Sequence, residues 1–369
     1  MIKQFRVDES QWQNWQWQVA NCITSSETLK TFLPLSLKQQ DEIDTCLKYF
    51  RMAITPYYLS LINPSDENDP ILKQAVPTIN ETYPYDDDML DPLDEEAESP
   101  VKNLVHRYPD RVLFLVTFKC AMYCRHCTRR RVVGEIDQVI DEKTLQDAVE
   151  YITQHKEIRD VLISGGDPLV MATSKLEHII SAIRAIKHVE VIRIGTRVPV
   201  VLPMRVTDEL VTMLRKYHPI WINTHFNHPK EITEDAKKAC LKIVDAGIPL
   251  GNQSVLLKGI NDNTDTMKEL LLKLVQIRVR PYYLYQCDLS KGISHFRTPV
   301  ETGLNIMHEL TGFISGFALP RYVIDAPGGG GKIPVNYNYV VSINDKEVIM
   351  ENYLGKQYRY PQPHKNSGQ

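Results

Sequence analysis

The chain has 369 residues, a formal net charge of −3, 43% hydrophobic and 24% charged residues. That length fits one large domain or two, and an ordinary composition without basic excess gives no reason to expect a nucleic-acid partner. No apolar run reaches transmembrane length and the opening Met1-Ile-Lys-Gln-Phe-Arg-Val-Asp8 lacks an apolar secretory core, so no membrane partner is expected and the cytoplasm, where thiols stay reduced, is the expected compartment.

Taken in chain order, residues 9–53 read as helical, with Trp12, Trp15 and Leu29 among polar neighbours. Prolines at 56 and 64 break that pattern. Residues 86–98 carry eight acids and read as a solvated linker ending near Pro100. From Arg111 an apolar-strand, amphipathic-helix rhythm begins. Strands are predicted at 112–118, 160–164, 189–195, 220–225, 249–256 and 281–285, with helices between them. Six β-then-α units predict an α/β fold with parallel strands and helical crossovers, short of the eight units of a closed barrel. Short strands are predicted at 322–325, 339–343 and 347–350, followed by a tail from Tyr358 that is expected to fray. The expected division is 1–100, 101–290 and 291–369.

Two stretches stand out. Cys120-Ala-Met-Tyr-Cys124-Arg-His-Cys127 follows the first strand. Three thiols in eight residues suit a metal centre better than a disulfide. Three thiolates leave one iron of a [4Fe-4S] cube without a protein ligand; zinc with His126 or a distant fourth ligand is the rival reading. Near the other end lies Asp325-Ala-Pro-Gly-Gly-Gly-Gly-Lys332. A phosphate-binding loop needs Gly at 326 and Ser or Thr at 333, but the chain has Ala326 and Ile333. A lysine on a glycine tether can instead attack an aldehyde, and pyridoxal phosphate (PLP) is the aldehyde cofactor this points to; a solvated loop lysine is the plain alternative. Between the two, Ser164-Gly165-Gly166-Asp167 closes the second strand, where glycines permit close approach of a ligand.

The C-x3-C-x2-C spacing after a strand resembles the radical S-adenosylmethionine (SAM) superfamily, and Cys127-Thr-Arg129-Arg130-Arg131 resembles the lysine 2,3-aminomutase group within it. The resemblance runs from about Thr55 to Tyr358. It implies a partial (β/α)6 TIM-like barrel with an N-terminal helical region and a C-terminal extension of short strands. It also implies a [4Fe-4S] cluster on Cys120, Cys124 and Cys127, SAM, and PLP attached to Lys332. Arg107 and Arg111 are then expected on the PLP phosphate, with Tyr108 packing on its ring. Gly165, Gly166 and Asp167 are expected at the SAM amino group, and His126, His225 and Gln253 near SAM by position. Arg129 is expected to clamp the substrate α-carboxylate and Asp288 and Asp325 to hold a side-chain ammonium. The implied reaction is migration of the amino group of L-lysine to give β-lysine, with an electron donor of flavodoxin or ferredoxin type. Arginine, ornithine or glutamate as substrate, β-lysine supply for elongation-factor modification, and a non-catalytic zinc domain are the alternatives.

Two departures matter. There is no cysteine beyond Cys287, and Asn263 stands where full-length clostridial-type relatives carry a zinc-binding cysteine. A homo-oligomer, if formed, is therefore expected to lack a zinc bridge. Lys291 lies three residues past Asp288 and would oppose cation binding if it pointed inward.

Overall fold

The computed structural model describes residues 5–134 and 139–363. The N-terminal region is helical but broken into short pieces ending with α1 (Leu37–Leu47). The breaks have local causes: Asn14, Ser25 and Ser36 each turn a side-chain oxygen onto the third backbone N–H of the next helix and so restart it.

Nine strands form one sheet in chain order: β1 (Leu104–Tyr108), β2 (Arg111–Thr117), β3 (Asp160–Gly165), β4 (Val191–Gly195), β5 (Ile220–Thr224), β6 (Leu250–Leu256), β7 (Arg280–Gln286), β8 (Arg321–Ala326) and β9 (Gly331–Pro334). Strands β2 to β8 run parallel. Six helices cross between them: α2 (Glu142–Gln154), α3 (Thr173–Arg184), α4 (Asp208–Arg215), α5 (Glu234–Asp245), α6 (Thr264–Gln276) and α7 (Val300–Leu310). The six β/α units are therefore present, and β8 adds a seventh parallel strand. The outer strands β1 and β9 are antiparallel to their neighbours. No ladder joins β9 back to β1 among the described residues, so the barrel is partial.

Alternation along the strands explains why the barrel encloses a space. Val161 and Ile163 of β3, Ile192 and Ile194 of β4 and Ile220 and Ile222 of β5 are fully buried and belong to the main apolar core. The intervening residues, Leu162, Ser164, Arg193, Gly195 and Asn223, line an interior cavity. A period of two thus sends apolar side chains to the core and mostly polar or small ones inward. The helices supply the other half of that core; α6 buries Met267, Leu270, Leu271 and Leu274, each contributing about 1.5–3 kcal/mol. Asn263 caps α6, accepting from the Thr266 N–H at 2.9 Å.

A second, three-stranded antiparallel sheet follows: β10 (Val340–Ile343), β11 (Glu347–Glu351) and β12 (Gln357–Pro361). The tail expected to fray from Tyr358 is a strand as far as Pro361, because its backbone pairs with β11 from Glu347 to Glu351. Residues 364–369 lie outside the described residues.

Candidate active site

The strand ends β2 to β8 open onto one cavity of about 690 Å³, the position where parallel barrels place their chemistry. The residues expected at the cluster, the cofactors and the substrate line it: the three thiols with His126 and Arg129 from the loop after β2; Arg107, Tyr108 and Arg111 from the β1–β2 hairpin; Gly165, Gly166 and Asp167 after β3; His225 and Gln253 from β5 and β6; Asp288, Asp325 and Lys332 from β7 to β9.

The cysteine loop is fixed by buried charge. Glu81 is 2% exposed and Arg125 1%; the Glu81 carboxylate accepts from Arg125 at 2.9 and 2.5 Å and from Arg130 at 2.5 Å. Burial opposes ionisation of Glu81, but the two guanidinium groups prevail and lower its pKa. Three thiols on one short loop fit a [4Fe-4S] cube, in which each cysteine holds a different iron and one iron is left without a protein ligand. Burial raises the Cys127 thiol to about 11, so a bound metal is what would make it a thiolate there.

Arg197, which sequence reasoning missed, is the hub of this side. Its Nη1 donates to Cys124 Sγ at 2.8 Å and its Nη2 to Glu231 at 2.7 Å and Gln74 at 2.6 Å. Its Nε reaches the His225 carbonyl at 3.2 Å. The signal available was its place two residues past the end of β4. His126 and His225 meet Nε2 to Nε2 at 2.9 Å, with the Asn227 amide within 3.3 Å of both. Burial and then Arg197 push His225 down to about 3, and the same two causes hold His126 well below its ordinary value, so the pair is neutral.

The glycines after β3 answer to the backbone. A Cβ at Gly165, where φ is +135°, would stand 2.1 Å from the Thr117 carbonyl oxygen, and one at Gly166 2.4 Å from that of Lys119. The Asp167 carboxylate accepts from Thr196 Oγ1 at 2.7 Å, the Arg197 N–H at 2.7 Å and the Leu169 N–H at 3.0 Å, so this motif ties the β3 end to the β4 end.

At the other end of the sheet, β8 and β9 form a hairpin in which Asp325 and Lys332 are directly opposed. Lys332 Nζ sits 2.9 and 3.1 Å from the Asp325 carboxylate and 5.2 Å from the Tyr285 ring centre. The Lys332 N–H donates to Tyr108 Oη at 2.8 Å, which links β9 to β1 across the open side of the barrel. The Arg111 guanidinium covers one face of the Tyr108 ring at 3.8 Å. Burial, then the nearby Asp325 carboxylate, raises Asp288 to about 7. Lys291 is exposed and does not line the cavity.

The acidic stretch is not a solvated linker. Asp91, Glu95, Glu96 and Glu98 pair with Arg131, Arg129, Arg131 and Arg107 respectively. Composition could not reveal this, because the partner arginines lie in β1 or in the cysteine loop.

Family models match twice: the radical SAM superfamily over residues 114–271 and Lysine-2,3-aminomutase over residues 307–369. The L-lysine 2,3-aminomutase of Acetoanaerobium sticklandii is 56% identical over 97% of this chain and 86% of its own, and that of Clostridium subterminale 55% over the same shares. The glutamate 2,3-aminomutase of Clostridioides difficile is 47% identical over 94% of this chain and 82% of its own. With these identities over nearly the full length, and with the thiols and the glycine-tethered lysine facing one cavity, the chain belongs to the lysine 2,3-aminomutase family of the radical SAM superfamily.

Proposed function

We propose that this protein is an L-lysine 2,3-aminomutase, an isomerase that moves the amino group of L-lysine from carbon 2 to carbon 3. The observation that carries the reading is one cavity holding a three-thiol loop, a glycine-tethered lysine and two carboxylates. Cys120, Cys124 and Cys127 are the residues to hold a [4Fe-4S] cluster; Gly165, Gly166, Asp167, His126, His225 and Gln253 surround the place for SAM. Lys332 is the anchor for PLP, with Arg107 and Arg111 for its phosphate and Tyr108 beside it. When bound, the cluster and SAM supply a carbon-centred radical, and PLP supplies a conjugated carbonyl carbon that carries the migrating nitrogen.

The chain's own work is binding, orientation and exclusion of water. Arg129 suits the substrate α-carboxylate, since a planar guanidinium matches a carboxylate through two hydrogen bonds. Asp288 and Asp325 suit the distal ammonium: carboxylates at buried strand ends are costly unless a cation meets them. This pair favours lysine over glutamate, whose side chain carries the same charge as the aspartates. Holding both ends of an extended substrate fixes the reacting carbons between them.

The electron donor is of flavodoxin or ferredoxin type, and the compartment is the cytoplasm, which suits seven cysteines outside any disulfide. No helix among the described residues is long and apolar enough to cross a membrane. Self-association, where it occurs, uses surfaces other than a zinc bridge.

The test is anaerobic. Protein reconstituted with iron and sulfide is given SAM, PLP and a reductant, then lysine, glutamate and arginine in parallel. β-Lysine is the expected main product; β-glutamate alone would remove the roles given to Asp288 and Asp325.

A further inference from the structure

Two of the cavity's arginines are held in the same way by one segment. Glu95, 5% exposed, accepts from Arg129 Nε at 3.0 Å to each carboxylate oxygen and from Arg129 Nη2 at 2.7 Å. Glu98 accepts from Arg107 Nε at 2.6 Å, and the Leu93 carbonyl accepts from Arg107 Nη2. A guanidinium presents five N–H groups in a rigid fork. In both cases the segment takes the Nε–Nη2 edge and leaves Nη1 outside the pair.

The segment is itself anchored on three walls of the site. The Gly328 N–H of the glycine corner donates to the Pro92 carbonyl at 3.0 Å. Met89 exchanges backbone hydrogen bonds with the loop after β7, through Leu289 at 2.7 Å and Lys291 at 2.9 Å. The His106 N–H of β1 donates to the Glu98 carbonyl at 2.9 Å.

We propose that two glutamates of this segment are positioning residues of the active site: Glu95 aims Arg129 at the substrate carboxylate and Glu98 aims Arg107 at the cofactor phosphate. The proposal rests on the reading above, which gives those two anions to those two arginines. Its physical basis is preorganisation. A long side chain fixed beforehand by one edge loses less rotamer freedom when the ligand meets its other edge. The counter-charge also matters, because Arg129 lies in a cavity wall where an unpaired cation is costly, and the Glu95 carboxylate meets it at 2.7 Å. Arg131 provides an internal control. The same segment holds it, through Asp91 at 2.9 Å and the exposed Glu96 at 3.3 Å, yet Arg131 does not line the cavity.

The experiment compares Glu95→Gln, Glu98→Gln and Glu96→Gln in the full, reconstituted protein. Glu95→Gln is expected to raise the lysine KM about tenfold with kcat within about threefold, to weaken by a similar factor the lysine-dependent change in PLP absorbance, and to leave PLP affinity unaltered. Glu98→Gln is expected to raise the dissociation constant of PLP, titrated into PLP-stripped protein, about tenfold, and to leave the lysine KM at saturating PLP unaltered. Glu96→Gln is expected to match the parent in both. Glu95→Asp, which keeps the charge on a shorter stem, is expected between parent and Glu95→Gln, and serves in its place should Glu95→Gln fail to fold. Tighter ligand binding in either variant would mean that the glutamates obstruct the arginines, and equal loss of both ligands, or of neither, would mean a merely structural segment; each overturns the proposal. A parent enzyme that makes β-lysine while the two variants show no such split sinks this inference alone; a parent that makes none sinks the reading beneath it.

Discussion

The two walls of the cavity are built on opposite principles. The wall of the cysteine loop is locked. Arg125 and Glu81 are almost fully buried, Arg197 ties Cys124 to Glu231 and Gln74, and two neutral histidines share one hydrogen bond. The wall of the lysine is tethered. Gly328, Gly329 and Gly331 adopt φ of +70°, +80° and +78°, a region costly for other residues, and the Lys332 side chain keeps 30% of its exposure. A redox centre gains from fixed dipoles and dry surroundings. A lysine that must make and break a covalent bond gains from reach. One cavity thus combines a wall fixed by buried ion pairs with a partly exposed lysine behind a glycine-rich corner.

The largest test of that contrast is Arg197→Met. Removing the guanidinium leaves Glu231 buried and unpaired, and such losses cost about 3–5 kcal/mol. Denaturant unfolding is expected to show that loss, together with reduced iron and sulfide after reconstitution. Stability and iron content equal to the parent would mean that the wall is not locked by this hub. Next comes Lys332→Ala, expected to lose the absorbance of protein-attached PLP while retaining the full iron content. Iron loss in that variant would show the two walls to be one cooperative unit. The smallest effect is in pH. Asp288 is raised to about 7 by burial and by Asp325, against the opposing pull of Lys332 and Arg129. Below that value the carboxyl is protonated and cannot pair with an ammonium. As pH rises from about 6 to about 8 its ionised fraction grows about tenfold, so the lysine KM is expected to fall by a similar factor, and Asp288→Asn to flatten the profile.

The sequence made the scaffold and both reactive motifs legible for different reasons. Strands β2 to β7 were readable because Val, Ile and Leu fill positions facing the helices, and the cysteine spacing and the glycine-lysine run are local patterns. What escaped was long-range pairing. Arg197 meets Cys124 across 73 positions, and its place just past the end of β4 was the one local signal. The acids of residues 86–98 were read as solvated because charge density alone does not tell water from a distant guanidinium. For the glycines after β3 the sequence offers room for a ligand; it does not reveal that the Thr117 and Lys119 carbonyls approach them as well.

The β8–β9 hairpin sets a constraint on how this chain can vary. Ala326 pairs with Gly331 and Asp325 with Lys332, so a corner of residues 327–330 fixes which way the lysine faces. Side chains alternate along a strand; one residue more or fewer before Lys332, with the geometry of the corner kept, would slide β9 by one position against β8 and carry the amine to the opposite face. The number of residues in the turn therefore matters to the facing of Lys332 as much as the lysine itself does, and any graft of this corner into another scaffold has to preserve the count before it preserves the glycines.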